Sequence, residues 1–128
     1  MSKAQLVDTD VLIDYLRGQA EAVAFLQSAT ATLRVAAPTV AELYVGVREG
    51  REREVLDRFV DAFEAVPVSA EIARQAGLWR RDYGRSHGTG LMDALIAACA
   101  QATESRLVTL NEKHFPMLSN VLVPYRKR

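Results

Sequence analysis

Short apolar runs alternate with longer segments of helical periodicity along this chain. The short runs predict strands over residues 4–8, 33–37, 66–68, 106–110 and 121–123. Between them, apolar residues recur at helical spacing and predict helices over residues 11–18, 20–29, 40–50, 51–64, 69–84 and 91–104. A turn-rich segment, residues 86–90, separates the last two helices. Strands that alternate with helices predict an α/β fold with a parallel sheet covered on both faces.

Length and composition favour one globular domain. At 128 residues, we expect a single domain over residues 1–128 that ends in a short, solvated basic tail over residues 125–128. The longest apolar stretch, residues 91–102, contains Asp93 and is shorter than the roughly 20 residues of a membrane span. The amino-terminal residues do not resemble a signal peptide. We therefore expect a cytoplasmic protein without a membrane segment.

The net charge of the chain limits how it can bind a polyanion. The 16 basic and 16 acidic residues cancel, so no overall field attracts nucleic acid or an anionic membrane. Any contact with nucleic acid must therefore be local.

Three acidic residues lie in apolar surroundings. Asp8 closes the first strand, and Glu42 and Asp93 each interrupt the apolar face of a helix near its start. Sites in parallel sheets form beyond the carboxyl ends of the strands, where the strand order reverses. Two carboxylates about 4 Å apart repel by roughly 4 kcal/mol at an effective dielectric constant of 20. A divalent cation would offset this repulsion if the three acids converge there.

Each of these acids also has a purely structural explanation. Thr39 and Glu42 have the spacing of a helix capping box. Asp93 near a helix start can complement the helix dipole, and Asp8 can cap the helix that follows it. Taken singly, each acid leaves both explanations open.

The ligand chemistry of the three acids indicates the kind of metal. Oxygen ligands favour Mg²⁺, or Mn²⁺ in its place, over zinc. The two histidines, His87 and His114, lack the paired spacing of a zinc site. A carboxylate-bound Mg²⁺ commonly activates water and neutralises charge in phosphate-ester hydrolysis. The residues by themselves therefore predict phosphoryl-transfer chemistry.

Four sequence blocks together resemble the PIN domain, and more narrowly the VapC toxins of bacterial toxin–antitoxin pairs. The blocks are LVDTDVLI (6–13), PTVAELYVG (38–46), SHGTGLMDALIAA (86–98) and LVTLN (107–111) followed by His114 and Phe115. The resemblance runs from about residue 5 to residue 123. It implies a PIN-like three-layer α/β/α sandwich around a central, mainly parallel sheet.

The same resemblance implies a function. It predicts a magnesium-dependent endoribonuclease that cleaves RNA, with transfer RNA or another structured RNA as the candidate substrate. It also implies inhibition by a cognate VapB-type antitoxin, and a homodimer. Five apolar residues at helical spacing have two explanations. They either line a groove for the antitoxin or belong to the core: Leu12, Leu16, Val55, Phe59 and Phe63.

Residue by residue, the resemblance assigns Asp8, Glu42 and Asp93 as the catalytic acids and metal ligands. We hypothesise that Asp8 and Asp93 bind the metal directly and that Glu42 binds it or orients the attacking water. Asn111 stands where many relatives carry a fourth acid. It is a fourth catalytic candidate that adds no charge, so one or two metals remain possible.

Two further groups of residues are expected to support the site. Those expected to hold the acidic cluster in position are Thr9, Asp10 and Thr109, with a hydrogen bond from Thr109 to Asp8. Those expected to bind the RNA backbone are Arg80, Arg81, Arg85 and His87. For the second group, a solvated helix face is the alternative.

Other functions account for parts of the pattern. A haloacid-dehalogenase-type phosphatase would use the spacing of Asp8 and Asp10, but Val11 and Leu12 depart from its continuation. A phosphorylated receiver domain lacks its acceptor aspartate and its lysine after the expected strands. A PIN-fold binding module with weak catalysis would account for Asn111.

Overall fold

A four-stranded parallel sheet forms the centre of the computed structural model, which describes residues 4–126. Its strands are β1 (Gln5–Val7), β2 (Leu33–Ala36), β3 (Glu64–Val66) and β4 (Arg106–Val108). The helices are α1 (Thr9–Leu16), α2 (Ala20–Ser28), α3 (Ala37–Tyr44), α4 (Arg51–Asp61), α5 (Ala70–His87) and α6 (Leu91–Ala102), and Glu112–His114 form a 3₁₀ turn. The predicted α/β fold with a parallel sheet is confirmed.

The sheet is buried on both faces because successive strand residues point to opposite sides. On one face, Leu6 and Leu107 pack in a cluster with Ile96 of α6. On the other face, Val7 and Val108 pack in a cluster that includes residues of α1. The sheet is therefore the middle of three layers. None of the helices within residues 4–126 is both long and apolar enough to cross a membrane.

The strand order places the reversal point at β1. The order is β3-β2-β1-β4. Strands β2 and β3 therefore lie on one side of β1, and β4 lies on the other side. Asp8 directly follows β1 and Thr109 directly follows β4. Both side chains thus lie at the carboxyl edge of the sheet where the order reverses, which is the position expected for a site.

Several predicted boundaries in the central part of the chain are wrong. Helix α5 continues through Ser86 and His87, and it ends at Gly88, whose φ of 69° is the left-handed conformation that favours glycine at a helix end. The third strand covers Glu64–Val66 rather than residues 66–68, because Pro67 has no N–H for a ladder hydrogen bond. Helices α3 and α4 also end earlier than predicted.

The predicted edge strand over residues 121–123 is reduced to a single parallel bridge between Leu122 and Val108. The Leu122 N–H donates to the Leu107 carbonyl at 2.8 Å, and the Leu122 carbonyl accepts from the Thr109 N–H at 3.1 Å. Pro124 lacks an N–H and cannot extend the pairing. The segment therefore follows β4 without becoming a full strand.

The prediction of a solvated tail over residues 125–128 is wrong at Tyr125. This side chain is buried in the core, and its hydroxyl donates to the buried Asp14 carboxylate at 2.8 Å. Arg126 is exposed, whereas residues 127–128 lie outside the described residues. The contact joins the end of the chain to α1, the helix that begins directly after Asp8.

We predict that Tyr125→Phe destabilises the protein by about 1–3 kcal/mol, because a buried carboxylate loses a hydrogen-bond donor. Urea denaturation of both proteins measures the difference. Tyr83→Phe, which removes a hydroxyl from the half-buried ring that contacts His87, is the matched control and should change stability by less than about 0.5 kcal/mol. Equal effects of the two substitutions would contradict a specific role for the Tyr125 hydroxyl.

Candidate metal centre

Asp8 is held in one orientation by two donors. It is buried in the extended residue before α1, where its Oδ1 accepts from the Thr9 N–H at 2.8 Å and caps the helix. Its Oδ2 accepts from the Thr109 hydroxyl at 2.6 Å. The predicted hydrogen bond from Thr109 is therefore present, and so is the helix cap that was the structural alternative.

The surroundings of Asp8 favour its protonated form when no cation is bound. Burial is the largest cause, and together with the negative charges of Asp10 and Asp93 it raises the Asp8 pKa from 3.8 to about 7. Hydrogen bonds from Thr109 and Thr9 oppose this rise. A cation beside Asp8 would reverse the balance, since it would favour the ionised form.

Asp10 connects the start of α1 to the segment after β4. Its Oδ1 accepts from the Val11 N–H at 2.7 Å, and its Oδ2 accepts from the Leu110 N–H at 3.2 Å. The side-chain amide of Asn111 makes a longer contact of 3.4 Å with the same oxygen. Asn111 itself is exposed at the edge of the site. It therefore adds a neutral amide here and no charge.

Glu42 lies on α3, which follows β2 without an intervening loop. Its Oε1 accepts from the Thr9 hydroxyl at 2.7 Å, although the residue as a whole is exposed. The helix begins at Ala37, so Thr39 lies inside it, where it is buried, and cannot be the capping residue. The capping-box explanation for Glu42 is therefore wrong. Glu42 is oriented instead by a hydroxyl on α1.

Asp93 occupies the first turn of α6. Its Oδ2 accepts from the Gly90 N–H at 3.0 Å. Asp93 therefore supports the start of α6, as its structural explanation expects. The same oxygen lies 3.3 Å from Nδ1 of His114. No local sequence pattern predicts this contact, because His114 and Asp93 are far apart in the chain.

The three predicted metal ligands do not form a closed cage. Among residues 4–126, no group of three histidine, cysteine or acidic side chains is arranged to hold a metal ion as the side chains stand. The donor set nevertheless suits a hard cation, since Asp8, Glu42 and Asp93 offer only oxygens and Asp8 is affected by neighbouring negative charge. Mg²⁺ typically takes one or two protein carboxylates and keeps several waters, so it needs no closed cage. The ligand assignment remains a prediction.

The four residues predicted to bind RNA lie on the carboxyl-terminal half of α5 and are exposed: Arg80, Arg81, Arg85 and His87. Arg81 pairs with Asp82 at 2.9 Å, and His87 Nδ1 lies 2.7 Å from the Ser86 hydroxyl. A β-carbon on Gly88 would lie 3.5 Å from His114, which in turn contacts Asp93. The end of α5 is therefore next to one predicted metal ligand. Contact with RNA remains a prediction.

We predict that the metal-free protein becomes less stable as the pH rises from about 4 to about 7. The Asp8 pKa is raised in the folded chain, so the folded state keeps this proton where the unfolded chain has already lost it, and the stabilisation disappears as pH passes the folded value. Urea denaturation in EDTA across this range measures the slope. Asp8→Asn should flatten it, whereas Asp61→Asn on the exposed end of α4 should not. An unchanged slope in Asp8→Asn would contradict the raised pKa.

Comparison with known proteins identifies the family of this chain. The model of the PIN domain family matches residues 6–118. Ribonuclease VapC10 of Mycobacterium tuberculosis is 43% identical over 123 residues, 94% of this chain and 92% of that protein. Ribonuclease VapC19 of the same species is 38% identical over 125 residues, 94% of this chain and 99% of that protein. A chain of a toxin–antitoxin complex from Klebsiella pneumoniae superposes with a TM-score of 0.83 at 28% identity, covering 96% of this chain and 99% of that one. The chain therefore belongs to the PIN-domain family and, within it, to the VapC ribonucleases.

Proposed function

We propose that this chain is the toxin of a toxin–antitoxin pair and that it hydrolyses RNA phosphodiester bonds with Mg²⁺, which Mn²⁺ can replace. One observation carries the proposal: Asp8 is buried at the reversal point of the sheet, and its pKa is raised by burial and by two further carboxylates. A divalent cation relieves that unfavourable arrangement. Two relatives named as ribonucleases, 43% and 38% identical, support RNA as the substrate.

The residues have separate tasks in this proposal. Asp8 and Asp93 would hold the metal. The hydrogen bonds that each carboxylate accepts fix the orientation of that carboxylate in advance. When bound, the metal lowers the pKa of its water and neutralises charge on the phosphate. Glu42 is exposed enough to meet water, and it orients the attacking molecule or accepts its proton.

Substrate binding is assigned to α5. Arginine can donate two parallel hydrogen bonds to a phosphate, so Arg80, Arg81 and Arg85 suit an RNA backbone. Because α5 ends next to His114 and Asp93, a backbone bound along it would reach the metal centre. Transfer RNA or another structured RNA is the proposed substrate, since a rigid RNA can contact the helix and the centre at once.

The antitoxin is assigned to a groove between α1, α3 and α4. This groove has a volume of about 440 Å³ and includes Leu16, Leu43 and Val55, with Glu42 also in its wall. Of the residues considered for this role, Leu16 and Val55 line the groove, whereas Leu12, Phe59 and Phe63 belong to the adjacent core cluster. The Klebsiella pneumoniae chain comes from a toxin–antitoxin complex, which supports a VapB-type partner. A segment in the groove would also cover Glu42. A homodimer and a cytoplasmic location complete the proposal.

We predict that the purified, antitoxin-free protein cuts structured RNA at defined positions only when Mg²⁺ is present. Asp8→Asn should reduce the cleavage rate by at least about 100-fold, because it removes a charged metal ligand. Asp61→Asn is the control and should cut like the wild type. The measurement is gel analysis of an RNA panel that includes transfer RNA. If the folded, metal-loaded protein leaves the whole panel intact, the PIN-fold binding module becomes the better description.

We predict that Leu16→Glu weakens antitoxin binding by at least about tenfold, because it replaces an apolar contact beside Leu43 and Val55 with a charge. Leu78 on α5 has the same 40% exposure as Leu16, so Leu78→Glu is the matched control. Calorimetric titration with the antitoxin encoded beside this chain measures both affinities. Equal losses in the two variants would argue against the groove.

A further inference from the structure

One glycine in α5 occupies a place where a side chain would collide with a neighbour. Gly84 lies in the last turn of this helix, which ends at His87. A β-carbon on Gly84 would overlap with Nη1 of Arg80 and lie 3.0 Å from its Cζ. Glycine destabilises a helix interior relative to alanine, because it loses more backbone freedom on folding. The space that Gly84 leaves open is filled by the guanidinium of Arg80.

Arg80 extends along α5 toward the carboxyl end of the helix. Long side chains on a helix normally lean toward its amino-terminal end, whereas this guanidinium lies beside a residue four positions further along. The partial negative charge at the carboxyl end of a helix attracts a cation there. Within residues 4–126, Arg80 forms no ion pair with a carboxylate, whereas Arg81 pairs with Asp82 at 2.9 Å. The positive charge of Arg80 is therefore available to an anion from outside the chain.

The space at Gly84 lies next to the peptide group that supports Asp93. The same β-carbon on Gly84 would lie 3.5 Å from the carbonyl oxygen of Thr89. That oxygen and the Gly90 N–H belong to one trans peptide group, and the N–H donates to Asp93 at 3.0 Å. The C=O and N–H of a trans peptide point in opposite directions. The guanidinium of Arg80 therefore lies near one end of this peptide group, and the carboxylate of Asp93 lies at the other.

We propose that Gly84 is a positioning residue for Arg80, and that Arg80 binds an RNA phosphate close to the one that is cleaved. A nucleic-acid strand carries a phosphate at every nucleotide, so a strand with one phosphate at Asp93 has others nearby. A guanidinium can donate two parallel hydrogen bonds to such a phosphate. A side chain at position 84 would displace the guanidinium from this place. The inference rests on the proposed function, and it selects one of the arginines on α5 by the shape of the helix.

The first experiment compares Gly84→Ala with Gly77→Ala in the full chain. Gly77 also lies inside α5, but a β-carbon there would meet nothing within 4 Å. Alanine favours the helix at both positions, and the end of the Arg80 side chain can move away from a new β-carbon. Both variants should therefore unfold at the wild-type urea concentration or a higher one. Only Gly84→Ala should weaken RNA binding, so a loss of stability cannot account for that effect.

The affinity for RNA is measured by fluorescence anisotropy with labelled transfer RNA in EDTA, over a range of salt concentrations. Losing one phosphate contact lowers the slope of log affinity against log salt concentration by about 0.7–0.9. We expect this change in Gly84→Ala, with a loss of affinity of about two- to fivefold for one exposed charge contact. Gly77→Ala should keep the wild-type slope. The same slope in both glycine variants would overturn the inference.

A double-mutant cycle tests whether Gly84 acts through Arg80. Arg80→Ala should reproduce the change in salt slope, and adding Gly84→Ala should cause no further change. Arg74→Ala, which removes an exposed arginine from the first half of α5, is the control for loss of charge and should keep the slope. If Arg80 only complements the helix dipole, Arg80→Ala will lower stability and leave the slope unchanged, which would overturn the inference.

Nuclear magnetic resonance on the RNA-free protein tests the arrangement of the two residues directly. In the wild type, an Overhauser contact between the Arg80 guanidinium and the α-hydrogens of Gly84 supports the inference. A guanidinium that averages over many orientations overturns it.

The outcomes also separate this inference from the proposed function. A wild type that cuts RNA, with the same salt slope in both glycine variants, would refute the role of Gly84 and leave the nuclease intact. A wild type that binds no RNA would refute both, even if the guanidinium rests on Gly84.

Discussion

The structure depends on burying one carboxylate at the centre of its sheet. Asp8 follows β1 at the point where the strand order reverses, and it is 6% exposed. Removing a carboxylate from water is unfavourable unless donors or a cation replace the water. The chain supplies the donors from the start of α1 and from the end of β4, through Thr9 and Thr109. The requirement to hold Asp8 therefore joins the ends of the neighbouring strands β1 and β4 at the site.

The donors at this centre are mostly neutral. Hydroxyl groups and backbone N–H groups orient Asp8, Asp10 and Glu42, and they leave the negative charge uncancelled. Arginine or lysine in those places would hold the acids equally well but would compete with a divalent cation. Neutral donors thus preserve both the orientation and the attraction for a metal.

Glu42 connects the centre to the rest of the surface. It accepts from Thr9 on one side and lies in the wall of the groove on the other. The groove depends on α4, which is joined to α3 where the Tyr44 hydroxyl donates to Asp57 at 2.5 Å. On the far side of the centre, α5 ends beside His114. A partner in the groove and an RNA on α5 would therefore approach the same acids from different directions.

Local periodicity was enough to predict the α/β alternation, the parallel sheet and the three unusual acids, because strand and helix spacing are properties of neighbouring residues. The sequence by itself could not decide the contact between Thr9 and Thr39, the burial of Tyr125 or the contact between His114 and Asp93. Thr9 and Thr39 are 30 positions apart, and Tyr125 and Asp14 are 111 apart. Only the packing of helices on the sheet brings such pairs together, and no short-range sequence pattern predicts these contacts. The sequence determined which acids the chain places at the starts of its helices, and the tertiary structure decided which donors hold them.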